Sequence, residues 1–393
     1  PMASTPQLEE IMSGAASVRQ LKPKGVTPLT SLPREGLRSY LIQQYEKENN
    51  QEDLQKEKAT LQLLELLKEG DDLHELSVGL LSEQIVGFYD LDSREMRLVG
   101  AAGQQLAPLD ELTLAHEYVH ALQDQHFDLA NTLEKVKEDS ERAMALRSLT
   151  EGDATLAMTL YARQRMTPEQ LSRAAADQPS GGASDEKLLS APLVLQISLL
   201  FPYQNGAIFT ASLFQQGGWP AVDRAYANPP TTTEQVMHPE KYLAGEGAKP
   251  VQAPDVAAVL GSSWALWDQD VLGELGALTY LQNGLTLDRA TRAATGWGGD
   301  QLALYRSAEG KYALVAVTEW DSAQDAMEFF DALRSLRNMK PGVKVTGSTE
   351  TRLAWSGGSR FGRADIKGTG VAMVIGPEAA GVQKAAEALA TAQ

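Results

Sequence analysis

Apolar residues recur at helical spacing through long stretches of the first half of the chain. Between residues 33 and 70 they include Leu37 and Leu41, which share one face of a helix. A second helical stretch runs from about Glu141 to Arg165. Residues 14–32 mix apolar residues with Pro and Gly, and we interpret them as short extended segments. The pattern therefore predicts a mostly helical N-terminal part.

Strand-like patterns interrupt this helical part and return after it. Residues 85–90 and 96–100 are short apolar runs on either side of a turn, which predicts a hairpin. Beyond residue 250 the pattern alternates between helices and strands. The predicted order there is a helix at 262–283, strands at 301–306 and 312–319, a helix at 322–339, strands near 352–356 and 371–375, and an alanine-rich terminal helix.

These elements predict the fold class α+β. A chain of 393 residues exceeds the usual size of one hydrophobic core, which indicates more than one domain. We place a mostly helical domain with a small sheet at 1–250, and a small α+β domain of unassigned role at 251–393. Within the first domain, residues 167–185 are small and polar, and they predict a surface loop.

Composition and charge exclude several classes of function. The formal net charge of −17 argues against a nucleic-acid-binding surface. The absence of cysteine excludes disulfides and thiolate ligands, so a bound metal must be held by nitrogen and oxygen. The apolar runs are too short for a transmembrane segment. The first residues lack the pattern of a signal peptide, and we expect that any native export signal is missing from this sequence.

The strongest chemical motif is His116-Glu117-Tyr118-Val119-His120. On a helix the two imidazoles project from nearly the same side, about 6 Å apart along the axis, which suits a single zinc ion. Glu117 is then placed to act as general base on the attacking water. Asp110 is predicted to cap the start of this helix. The competing interpretation is a pair of packed core histidines.

A tetrahedral zinc site needs another protein ligand, and Glu151 on the following helix is our first choice. Gly152 beside it permits close approach of two helices. Asp153 is the alternative ligand, and otherwise it is expected to hydrogen-bond a ligating imidazole from behind. Asp124, four residues after His120, is predicted to do the same. An ordinary solvated helix carboxylate remains the competing interpretation of Glu151.

Two side chains further along the chain are candidates for stabilising an oxyanion. His238 ends a short helix that Pro239 stops, and Tyr203 lies in an aromatic stretch. Either side chain can donate a hydrogen bond to a tetrahedral oxyanion. The competing interpretations are an imidazole at a helix C-terminus for His238 and a core aromatic for Tyr203.

The HExxH motif followed by Glu151 resembles the gluzincin class of zinc metallopeptidases, to which thermolysin belongs. The longer strings HEYVHALQDQ and EGDA further resemble an uncharacterised group of bacterial metallopeptidase-like proteins. The chain departs from thermolysin in the spacing of its motifs and in the residues around Glu151. The resemblance implies a zincin-like fold for 1–250. It also implies that the strand ahead of the zinc helix binds extended peptide by strand addition, unless that hairpin is purely structural.

The sequence thus predicts a zinc-dependent metallopeptidase that acts on a peptide or protein. Zinc held by His116, His120 and Glu151 would activate water, and Glu117 would take the proton. The alternative is a catalytically silent or latent zinc-binding protein of the cell envelope, which binds partners through 251–393. We expect a bacterial protein outside the cytoplasm, secreted or in the envelope, although a cytoplasmic location is also compatible with the sequence.

Overall fold

The structure is a computed structural model that describes residues 4–81, 87–99, 106–177 and 183–392. It has a helical N-terminal region and a C-terminal antiparallel sheet covered by helices. The predicted fold class, α+β, is confirmed. None of the helices in these described ranges combines the length and apolar character needed to cross a membrane.

The N-terminal region consists of helices and one small sheet. In chain order its elements are α1 (Pro6–Arg19), β1 (Leu29–Leu32), α2 (Arg34–Glu48), α3 (Gln51–Leu63), α4 (Leu73–Leu81), β2 (Gly87–Asp90), β3 (Glu95–Val99), α5 (Pro108–Phe127), α6 (Leu129–Glu134), α7 (Ser140–Arg165), α8 (Pro168–Asp177), α9 (Ala183–Ser190), α10 (Leu193–Gly217), α11 (Trp219–Ala227), α12 (Thr233–Met237) and α13 (Pro239–Ala244).

Two sequence interpretations of this region are wrong. Residues 14–19 belong to α1 and are not extended, because Leu8, Ile11 and Ala15 form a buried helical face that the Pro and Gly content obscured. The predicted loop at 167–185 contains α8 and the start of α9. Its central residues, 178–182, lie outside the described part of the chain.

Helix α5, which carries the HExxH motif, begins where the sequence provides both a proline and an acidic cap. Pro108 occupies the first helical position, where its fixed φ angle suits the helix. Asp110 lies at the third helical position, and its carboxylate accepts from the backbone N–H of Ala107 at 3.2 Å. Asp110 therefore stabilises the start of the helix, although Ala107 is the capping residue.

The small sheet has the strand order β1-β3-β2, with β1 parallel and β2 antiparallel to β3. The predicted hairpin is confirmed over β2 and β3, and residues 85, 86 and 100 lie outside the described residues. Strand β2 lies against α5. A Cβ at Gly87 would come within 3.1 Å of Leu114 Cδ2, so the absence of a side chain allows this close approach.

Helices α7 and α10 cross at a contact between two glycines. A Cβ at Gly152 would lie 2.0 Å from the carbonyl oxygen of Gly206. The prediction that Gly152 permits close helix approach is confirmed, but the partner is α10 and not the histidine helix. The contact places Glu151, next to Gly152, near Tyr203, which lies about one turn before Gly206.

The C-terminal region contains a seven-stranded antiparallel sheet with the order β4-β5-β6-β10-β9-β8-β7. Its elements are α14 (Ala257–Leu260), β4 (Trp264–Asp270), α15 (Gly273–Gln282), α16 (Leu287–Ala294), β5 (Trp297–Ser307), β6 (Tyr312–Trp320), α17 (Ala323–Met339), β7 (Val343–Ser348), β8 (Arg352–Gly357), β9 (Arg360–Lys367), β10 (Gly370–Gly376) and α18 (Ala379–Ala392). The helix predicted at 262–283 is wrong in its first half, which forms β4.

Both faces of this sheet are covered. Along β6, Leu314 and Trp320 face one core while Val315 and Val317 face the other, as the alternation of a strand requires. The first core also contains residues 59, 63, 64 and 66 from α3 and the turn after it. A segment from the predicted domain 1–250 therefore packs into the core of the C-terminal sheet.

Candidate metal centre

Three side chains converge between α5 and α7. His116 Nε2 lies 3.1 Å from Glu151 Oε2 and 3.1 Å from His120 Nε2. His120 Nε2 lies 3.3 Å from the same Glu151 oxygen. The three atoms thus form a nearly equilateral triangle, although Glu151 is 35 residues from His116 in sequence. The structure brings together the three predicted metal ligands.

The size of this triangle fits a zinc ion. Tetrahedral zinc with bonds of about 2.0–2.1 Å to nitrogen and oxygen has neighbouring ligand atoms about 3.3 Å apart. The distances of 3.1, 3.1 and 3.3 Å are close to that value. The donor set, two imidazole nitrogens and one carboxylate oxygen, is also one that zinc prefers.

The Glu151 carboxylate and the His120 imidazole strongly shift each other's pKa. Burial alone would lower the pKa of His120, but the Glu151 carboxylate outweighs it and raises that pKa to about 10. Burial of Glu151 would raise its pKa, yet the charge of His120 and the hydrogen bonds from both imidazoles hold it well below the ordinary value. The site therefore favours a carboxylate opposite one positive charge, which a proton or a metal ion can supply.

Glu117 lies between the metal centre and strand β2. Its Oε2 accepts a hydrogen bond from the backbone N–H of Tyr89 at 3.0 Å. Its negative charge also acts on His120 and on Tyr203. The predicted general base is thus held by the edge strand while it remains close to the ligands.

Tyr203 lies over the first histidine. Its ring stacks on the His116 ring with centroids 6.1 Å apart and an interplanar angle of 28°. The residue is 42% exposed, but its hydroxyl lies close enough to the Glu151 carboxylate for a hydrogen bond. Burial raises the pKa of Tyr203, and the charges of Glu151 and Glu117 raise it further. The phenol therefore remains a proton donor at neutral pH.

Asp153 is buried behind the centre, and it does not touch an imidazole directly. Gln123 lies between them: its Oε1 is 2.9 Å from His120 Nδ1, and its Nε2 donates to Asp153 Oδ2 at 3.0 Å. The prediction that Asp153 hydrogen-bonds an imidazole is therefore corrected. Gln123 is not predicted from the sequence, although its position three residues after His120 places it on the same helix face. Arg19 is not predicted either, because it pairs with Asp153 across 134 residues and no local sequence pattern marks that contact.

Asp124 faces away from the metal ligands, and its predicted contact with an imidazole is also corrected. Its Oδ2 accepts a hydrogen bond from the hydroxyl of Tyr89 at 3.0 Å, and Arg94 lies 3.5 Å away. An offset of four residues from His120 gives a shared helix face, but the side chain turns toward the hairpin. Asp124 therefore holds β2 and the turn after it against α5.

His238 belongs to a different part of the molecule. Its Nε2 lies 2.9 Å from the buried Glu274, and that hydrogen bond raises its pKa. Among the described residues its other ion-pair partner is Glu240, at 3.7 Å, and the charge of Glu234 also acts on it. Within the described ranges, His238 has no contact with the His116 group. The structure thus brings Tyr203 to the centre and leaves His238 elsewhere.

One other cluster in the described ranges contains three acidic groups close enough to hold a cation, namely Glu234, Glu246 and Asp321. Lys241 Nζ lies among them at 2.6, 2.9 and 2.7 Å, respectively. This cluster is an ion-pair network around a lysine.

Comparison with known proteins covers the C-terminal region alone. Residues 265–386 match a family described as a domain of unknown function, DUF8575, which is less than a third of the chain. The matched residues include most of the seven-stranded sheet and none of the metal-centre residues. No curated protein and no solved structure matches the chain.

Proposed function

We propose that the chain is a zinc-dependent metallopeptidase with zinc held by His116, His120 and Glu151. The observation that carries the proposal is the triangle of ligand atoms, with sides of 3.1, 3.1 and 3.3 Å. Packed core histidines can form hydrogen bonds without directing both Nε2 atoms and a carboxylate oxygen toward one common point. Two imidazoles and a carboxylate also leave room for one further ligand on a tetrahedral ion, which is the pattern of catalytic sites.

In the proposed hydrolysis, the metal ion, Glu117 and Tyr203 have separate roles. When bound, zinc supplies Lewis acidity, which lowers the pKa of water and polarises a carbonyl. Glu117 takes the proton of the attacking water and delivers it to the leaving amine. Tyr203, held as a neutral phenol over His116, donates a hydrogen bond to the oxyanion that forms from the scissile carbonyl.

The position of strand β2 supports an extended peptide as the substrate. Tyr89 N–H points away from β3 toward Glu117, so the outer edge of β2 faces the proposed general base. A peptide that pairs with this edge would lie along the metal centre, as in binding by strand addition. The substrate class proposed is therefore an extended or unfolded polypeptide segment.

The test combines metal analysis with hydrolysis of an unfolded protein. We expect about one zinc per chain and proteolysis that a chelator abolishes. Glu117→Gln keeps an oxygen that accepts from Tyr89 N–H, so it should retain zinc while losing about 10²- to 10⁴-fold in activity. Glu169→Gln, an exposed residue on α8, is the matched control and should behave as wild type.

Each unfavourable result has a distinct meaning. Retained activity in Glu117→Gln would refute the assignment of the base. A zinc-loaded wild type without hydrolysis would instead support the catalytically silent or latent alternative. A purified chain that takes up no zinc would remove the proposal altogether.

A further inference from the structure

Behind His120 lies a buried hydrogen-bond relay that ends in the N-terminal helix α1. Gln123, Asp153 and Arg19 are fully buried. Gln123 contacts His120 and Asp153, and Arg19 Nε donates to Asp153 Oδ1 at 2.5 Å. The relay joins α5, α7 and α1 at a single point behind the metal centre.

The hydrogen bonds determine which way the Gln123 amide points. Its Nε2 lies 3.0 Å from the carbonyl oxygen of Thr150 and 3.0 Å from Asp153 Oδ2. Both atoms are acceptors, so the amide NH₂ must face them. The amide oxygen then faces His120 Nδ1, 2.9 Å away, and because this oxygen only accepts, Nδ1 must carry the proton. The lone pair of a neutral imidazole is consequently on Nε2.

Asp153 is held in turn by charged and polar partners. The hydroxyl of Tyr226 donates to Asp153 Oδ2 at 2.8 Å. Arg19 is fixed by Asp223, whose Oδ1 lies 2.7 Å from Arg19 Nη2, and by the Trp219 ring, whose centroid lies 4.4 Å from the guanidinium carbon. The acceptor that orients Gln123 therefore has little freedom to move.

We propose that Gln123 is a positioning residue that holds His120 in the Nδ1–H form, with Nε2 directed at the metal, and that Asp153 and Arg19 keep Gln123 in this orientation. The inference rests on the proposed zinc site and deepens it. Helix α1 thereby contributes to metal binding, because its residue Arg19 holds Asp153, which in turn orients Gln123. Partners behind a ligating histidine typically change metal affinity by about 10- to 100-fold.

The test compares Gln123→Leu with Gln125→Leu on the same helix. Gln125 is partly buried and also forms two hydrogen bonds to the N-terminal segment, with Lys24 N–H and Thr27 Oγ1, so the control also loses side-chain hydrogen bonds to that segment. We expect zinc to bind about 10- to 100-fold more weakly to folded Gln123→Leu. We expect a change of less than about 3-fold in Gln125→Leu. Tyr226→Phe, which leaves Gln123 intact, should fall between them.

A second readout needs neither zinc nor activity. In protein labelled with ¹⁵N-histidine, the Nδ1–H of His120 should exchange slowly in the metal-free and the zinc-loaded states, and in Gln125→Leu. It should exchange rapidly in Gln123→Leu. Unchanged zinc affinity in Gln123→Leu, or a rapidly exchanging Nδ1–H in the wild type, would overturn the proposal. If the wild type binds no zinc, the proposed function fails, and the exchange of this proton still decides the role of Gln123.

Discussion

Among the described residues, two clusters have the geometry of a cation site, and they differ in where the cation comes from. Glu234, Glu246 and Asp321 surround the ammonium of Lys241, so the chain supplies the positive charge. His116, His120 and Glu151 gather two imidazoles around a carboxylate, with no lysine or arginine paired to Glu151 among the described residues. A cluster of acidic groups therefore indicates a metal site only if no lysine or arginine of the chain lies among them.

The two clusters also differ in donor type and in exposure. Glu246 is 46% exposed and Asp321 33% exposed at the side chain, and all three ligands are carboxylates. The histidine cluster is more enclosed and mixes nitrogen with oxygen, which suits zinc. Removal of one carboxylate should accordingly weaken zinc binding in the histidine cluster, whereas in the Lys241 cluster it should leave zinc binding unchanged.

The largest expected effect is on zinc binding by Glu151→Gln. Loss of a charged ligand should weaken zinc more than loss of a partner behind it, so we expect a decrease of more than about 100-fold. Isothermal titration or competition with a chromogenic chelator measures this affinity. The matched variant Glu246→Gln should bind zinc as wild type does. Equal loss in both variants would contradict the distinction between the clusters.

The sequence predicts the histidine cluster because its parts follow local rules. His116 and His120 share a helix face by their spacing, and Glu151 lies on a strongly helical stretch. The sequence does not predict the relay through Arg19, because that contact depends on how α1 packs against α7. The sequence does not predict the surroundings of His238 for a related reason: its partner, Glu274, is distant in sequence and belongs to α15.

The same limit applies to the fold. Strands β5 and β6 were predicted since their apolar runs are long and bounded by turns. For strand β4 the sequence predicts a helix, because its two tryptophans, Trp264 and Trp267, have three-residue spacing, and that prediction is wrong. The conformation of β4 is determined by its pairing with β5, and the local sequence of β4 contains no information about that pairing.

The next effect in size is on stability, in Lys241→Met. This change removes the ammonium and leaves the buried Glu234 beside two other carboxylates. We expect the free energy of unfolding at pH 8 to fall by roughly 1–3 kcal/mol, the cost of leaving a buried polar group without its partner. Chemical denaturation measures it. An unchanged midpoint would show that the ion-pair network contributes nothing to stability.

A smaller change is expected from pH in the wild type. Burial raises the pKa of Glu234 to about 7 despite the opposing effect of Lys241. A folded pKa above the unfolded value gives a contribution that is full below about pH 4.5 and is lost as pH rises through about 7. The Glu234 contribution to stability should therefore decrease between these values, and Glu234→Gln should remove that part of the pH dependence. Denaturation curves of both proteins at pH 5 and pH 8 test the sign; an identical pH dependence would contradict the assignment.

The smallest effect is expected from Glu246→Gln. This carboxylate lies 2.9 Å from Lys241, but its side chain is 46% exposed, so water screens the pair and the ordered side chain loses conformational entropy. We expect the free energy of unfolding to change by less than about 0.5 kcal/mol. Lys241 keeps Glu234 and Asp321 as partners after the substitution. A loss as large as that of Lys241→Met would mean that the three carboxylates hold the lysine as a unit, and the cluster would then resemble a metal site in its cooperativity.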